Sequence, residues 1–157
     1  MSQILSKIPL EDVSKERLRL WLRLLKTTRS IETTLRENFR DEFGTTLPRF
    51  DVMAALSRYE DGLKMSEISG VLRVSNGNIT GIVDRLSDDG QLVRVSVPGD
   101  RRASRVRLTK KGLQEFDRQA KAHEGWIAEA LGEFTAEEAR EITMRLLTSE
   151  TPEEEGK

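Results

Sequence analysis

Residues Met65–Thr109 decide the fold: MSEISGVLRVSNGNITGIVDRLSDDGQLVRVSVPGDRRASRVRLT. They read as a short helix, a tight turn, a second helix, and a hairpin with an arginine-rich tip. Ile79, Ile82, Val83 and Leu86 fall at i, i+3, i+4 and i+7, giving the second helix one apolar face. Opposite stand Asn76, Gly77, Asn78, Thr80, Gly81 and Asp84, which are small or polar and poorly suited to burial. A helix with a core on one side and short hydrogen-bonding side chains on the other suits a DNA groove. The hairpin brings the charge, with Arg94, Arg101, Arg102, Arg105 and Arg107 inside fourteen residues. Together these features predict a winged helix-turn-helix.

Bulk composition narrows the classes. The 157 residues suffice for one ordinary domain. With 36% apolar and 34% charged residues and few aromatics, the chain reads as soluble and helix-rich. No run approaches the ~20 apolar residues of a membrane span, and no secretory signal is visible at the N-terminus. The absence of cysteine fits a reducing, cytoplasmic setting and excludes disulfides and thiolate sensing. A single histidine, His123, cannot build a multi-histidine metal site, and no calcium-loop spacing is present. No metal or cofactor is expected. No nucleophile–base pair or glycine-rich phosphate loop appears either, so an enzyme is not expected, and His123 reads as a packed residue.

The net charge of −1 hides an asymmetry. Residues 1–63 sum to +1, residues 64–112 to +5 and residues 113–157 to −7. Polyanion binding is thereby localised to the centre.

Outward from the centre, residues 1–14 read as a loose arm, and a helix is expected from about Ser14 to Phe43. Leu18, Trp21, Leu22 and Leu25 form one stripe on it, with Leu20, Leu24 and Ile31 on another side. Two stripes exceed what one small core needs. A helix shared with a partner subunit explains them; a helix buried in its own subunit is the alternative. Gly44 stops this helix, and Pro48 opens another to about Tyr59. Ser66 and Ser75 are the expected N-caps of the two central helices, with Val74 plugging the turn between them. Strands are expected over 91–97 and 104–108 around the turn Pro98-Gly99-Asp100. Thr109 caps a helix to about Leu131, with an inner stripe of Leu113, Phe116, Ala120, His123, Ile127 and Ala130. Thr135 and Glu138 form a capping box for a last helix to about Leu147.

This order of elements resembles the MarR family of bacterial transcriptional regulators. The resemblance is carried by Leu63–Leu86 as the helix-turn-helix and by DRRASRVRLT over 100–109, which fits that family's D-x-R-x(3)-V-x-L-T wing. It implies a mainly α fold with a small β-hairpin wing, in which about 48–109 form the winged helix-turn-helix DNA-binding lobe. Residues 14–43 and 110–147 would form a helical dimerisation platform, the whole being one domain. A homodimer would set two recognition helices about one DNA turn apart on a pseudo-palindromic operator of double-stranded DNA.

Within that frame Asn76, Asn78 and Thr80 are the expected base readers, unless they serve only as caps and solvent-facing residues. Ser66 and Ser75 could bond phosphates at helix N-termini. Arg102 matches the family's minor-groove arginine at the wing tip, beside Arg101. Asp100 is expected to pair with Arg85, locking the wing to the helix, and Arg94, Arg105 and Lys110 are phosphate candidates. Five such cations per subunit of a dimer give a log–log salt slope of roughly −9. The resemblance also implies a small-molecule effector, a small aromatic acid or its coenzyme A thioester, that releases a repressor from its operator. Trp21, Arg29, Phe50 and Met53 could line its cavity, or be plain core and surface. The alternative function is a winged-helix module that binds DNA or protein and senses nothing.

Overall fold

A computed structural model describes residues 10–72 and 76–149, without the side chains of 10–11, 71–72, 76–77 and 101–103. Helix α1 spans Leu10–Phe43. It starts four residues before the expected Ser14, because no proline or glycine interrupts the chain from Leu10 onward, so part of the expected arm is helix. Helix α2 spans Leu47–Leu56, with Pro48 in its first turn and the Thr46 side chain accepting from the Arg49 amide. Strand β1, Leu63–Lys64, leads directly into α3, Met65–Leu72. Helix α4 is Asn76–Asp88, β2 is Leu92–Val97 and β3 is Asp100–Leu108. Helices α5, Lys110–Ala130, and α6, Ala136–Leu147, complete the order.

The expected two-stranded hairpin is the larger part of a three-stranded antiparallel sheet in the order β1-β3-β2. Leu63 pairs with Val106 and Lys64 with Arg105. Gly62 makes this possible. Its φ is +85°, and a Cβ there would lie 2.3 Å from the Val106 carbonyl oxygen, so only glycine lets β1 approach β3.

The core divides in two. Val52, Met53, Leu56, Leu63, Ile68, Ile79, Val83, Leu86, Leu92, Val106 and Leu108 fill the lobe made by α2–α4 and the sheet. A second cluster of Leu35, Phe39, Leu47 and Phe50 joins α1 to α2 and is backed by Trp126 and Ile127 of α5. Phe116 touches both clusters and so ties the lobe to α5. In the second cluster Trp126 sets its edge against Phe39 at 4.9 Å, and His123 lies 4.7 Å from the Phe50 ring. His123 is thus packed, as expected. Burial lowers its pKa, since a charged imidazolium among phenyl rings loses its water. Leu113 and Ala130, expected on the inner stripe of α5, are exposed at its two ends; buried Gln119 and half-buried Trp126 lie inside instead.

Two segments remain uncovered. On α1, Leu18, Leu20, Trp21 and Leu22 are each more than half exposed. No residue of α6 is buried, and its Ile142, Met144, Leu146 and Leu147 face outward. The α6 N-terminus is nevertheless well made. The Glu138 amide donates to Thr135 Oγ1 at 3.2 Å and the Thr135 amide to Glu138 Oε1 at 3.1 Å, which holds the Glu138 pKa down. This well-capped helix thus leaves its apolar stripe exposed among the described residues.

Candidate nucleic-acid interface

Helix α4 is held from behind. Ile79, Val83 and Leu86 are fully buried and Ile82 half-buried, which leaves Asn78, Thr80, Gly81, Asp84 and Arg85 exposed on the other side. The face expected to read bases is therefore free of the core. A Cβ on Gly81 would meet nothing within 4 Å. Among the described residues, no neighbouring backbone requires glycine there. What the missing side chain leaves open is room outside the protein.

Asn76 opens α4, but its side chain lies outside the described residues, as do Ser75 and Val74 entirely. Ser66 is exposed, yet it does not cap α3. The helix begins at Met65, one residue earlier, and the Lys64 amide is satisfied by Glu67 Oε1 at 3.0 Å. The carboxylate reaches back from the first turn to the amide just before the helix, and Ser66 lies inside the helix instead of at its N-cap.

The wing grows from the lobe core. Leu92 and Leu108 pair across its base and Arg94 faces Val106, all on the side turned to α4. Val93 and Val95 pair with Arg107 and Arg105 on the outer side, where both valines are 37% exposed. Strand β3 begins at Asp100, four residues before the expected start, so Arg101 and Arg102 belong to a strand and not to a loose tip. Their side chains lie outside the described residues. Asp100 stands opposite Val97 beside an irregularity in the ladder.

Arg94 was expected on phosphate, but in the structure its Nη2 lies 2.5 Å from Asp84 Oδ1. This pair joins the wing to α4, the job expected of Asp100 and Arg85. Arg85 is engaged at 3.6 Å by Asp89, one turn on. Arg105 is half-buried on the outer sheet face, and Lys110 sits at the start of α5, at the opposite end of β3 from the wing turn. Arg105 and Lys110 therefore stand away from the α4 face.

The four candidate effector residues are not brought together. Met53 is in the lobe core and Phe50 in the α1–α2–α5 cluster, while Trp21 and Arg29 are exposed on α1. A cleft of about 410 Å³ between α1 and α5 is lined by Arg23, Lys26, Ser30 and Trp126, among others, and by none of these four. Among the described residues, no group of three or more His, Cys, Asp or Glu could hold a metal, and no helix is long and apolar enough to cross a membrane.

The geometry agrees with comparison to known proteins. The sequence model of the MarR family matches residues 43–103, which include most of the lobe. The transcriptional activatory protein BadR of Rhodopseudomonas palustris is 30% identical over 74% of this chain and 68% of its own length. A MarR family transcriptional regulator from Silicibacter pomeroyi, known as a crystal structure, is 35% identical. It covers 87% of this chain and 94% of its own, with a TM-score of 0.71. A Streptomyces coelicolor regulator of that family, solved in complex with DNA, shares the fold with a TM-score of 0.76 at 20% identity, over 90% of this chain and 91% of its own.

Proposed function

The chain belongs to the MarR family of DNA-binding transcriptional regulators and is not an enzyme; from that premise we propose that it acts as a homodimer on a pseudo-palindromic operator. The observation that carries the reading is the pairing of two surfaces. One is the polar face of α4 beside a basic wing, and the other is the uncovered apolar length of α1 and α6. The lobe, about 48–109, reads DNA. Helices α1, α5 and α6 form the platform that spaces two lobes, all within one domain and in the cytoplasm. Asn76, Asn78 and Thr80 contact base edges. Arg101 and Arg102 enter the minor groove, and Ser66, Ser75 and Arg85 contact phosphate. Arg94, paired with Asp84, acts by holding the wing in place.

Repression relieved by a small aromatic acid or its coenzyme A thioester is the regulatory reading. Activation is the second reading, favoured by the name of the relative BadR. Arg102→Ala tests the DNA-binding assignment. Operator affinity is expected to fall while the protein still sediments as a dimer; unchanged affinity, or dissociation to monomers, contradicts it. Titrating aromatic acids and their thioesters against the protein–operator complex tests the regulatory part, and release by none of them favours a regulator that senses no such ligand.

A further inference from the structure

A second cleft, of about 500 Å³, opens where α2 ends, β3 ends and α5 begins. Three cations from three segments border it: Arg58 after α2, Arg107 in β3 and Lys110 in the first turn of α5. Glu60 is the acid in the lining, so the cleft carries a net charge of +2. Tyr59 and Leu113, both more than 40% exposed, supply an apolar wall.

The walls are fixed by backbone contact. Gly62 holds the loop after α2 against β3, where a Cβ would also come within 3.0 Å of the Arg107 Cβ, and its amide donates to the Tyr59 carbonyl at 3.0 Å. On the other side, α5 is pressed onto the start of β2 so closely that a Cβ on Gly112 would lie 2.0 Å from the Gln91 carbonyl oxygen. Thr109 fastens the joint. Its hydroxyl donates to the Gly90 carbonyl at 2.7 Å and accepts from the Gly112 amide at 3.0 Å. Strand rise places Arg107 roughly 25 Å from the wing turn, so these cations are not part of the wing-tip charge.

We infer that this cleft binds a small organic dianion with a flat apolar body, and that an aryl phosphate monoester matches its chemistry. Three N–H cations carried by three separate segments suit the three terminal oxygens of a phosphate monoester. A monoanionic carboxylate leaves one positive charge unbalanced. The tyrosine ring and Leu113 cover an aryl group that inorganic phosphate lacks. The inference concerns binding alone and does not depend on how the protein is released from DNA.

Calorimetric titration of the full chain with phenyl phosphate tests it. Saturable binding of one ligand per chain is expected. Arg107→Ala and Lys110→Ala should each weaken it about tenfold, the worth of one charged hydrogen bond. Tyr59→Ala, inorganic phosphate and benzoate should each bind more weakly than the intact pair. Circular dichroism identifies a variant that fails to fold; Lys110→Ala, on an exposed first turn, then carries the test for Arg107→Ala. Three results overturn the assignment: no saturable heat at millimolar phenyl phosphate, undiminished affinity in the folded cation variants, or displacement of phenyl phosphate by random-sequence duplex DNA. The last would give the cleft to the DNA backbone.

Discussion

Asp84 on α4 and Arg94 on β2 stand 2.5 Å apart, ten residues apart in sequence, and tie this helix to the wing beside it. Both side chains are about half exposed, so the pair adds no more than about 1 kcal/mol to stability. Its larger effect is electrostatic. Asp84 is a negative charge on the face proposed for DNA, and Arg94 neutralises it.

Asp84→Asn should therefore strengthen binding to random-sequence DNA. The freed Arg94 should steepen the log–log salt slope by about one unit per subunit. Fluorescence anisotropy across a salt series measures both, and weaker binding at every salt concentration would contradict the shielding role.

Gly81 separates stability from function. Alanine there meets none of the described residues beyond its own helix backbone within 4 Å and should stabilise α4 by up to about 1 kcal/mol. That raises Tm by a few degrees. If the open space belongs to the groove, the same Gly81→Ala lowers operator affinity. A variant that is more stable and binds DNA equally well would show that Gly81 stands away from the DNA.

His123 gives a pH dependence. Its pKa is lowered in the folded protein from an ordinary 6.5, so below about pH 6.5 the unfolded chain takes up the proton first. The stability contributed by keeping this ring neutral is present above that pH and is lost as pH falls through the lowered folded value. His123→Phe should flatten this part of the curve in urea titrations between pH 7 and 5. An unchanged slope assigns the dependence to other groups.

The platform predicts its own failure. Ile142→Glu with Leu146→Glu changes two side chains that are 40% exposed on α6 and should cost the isolated chain little. Sedimentation is expected to show monomers, with operator affinity falling sharply because two linked lobes become one. A double variant that remains a dimer removes α6 from the interface.

Much of this was legible in the sequence because it is decided within one or two turns of chain. The buried face of α4, the caps at Thr109 and Thr135 and the stop at Gly44 each depend on neighbours three or four residues away. Strand β1 was not legible, since two residues, Leu63 and Lys64, carry no period; the signal was Gly62, whose role appears only once β3 is beside it. The same limit explains Arg94. Its charge was plain, but its partner ten residues back depends on how the wing meets α4. Trp21, Arg29, Phe50 and Met53 scattered for a related reason. Residue type suggests what a side chain can do in a cavity, and helical phase alone does not say which of two clusters or the solvent it will face.

Selection of bound duplexes from random DNA asks whether two α4 helices and two wings read one site through a dimer. An enriched inverted repeat is expected, with half-site centres about 10 base pairs apart or a multiple of one turn. Enrichment of a single half-site, or of no sequence at all, would contradict the dimeric reading.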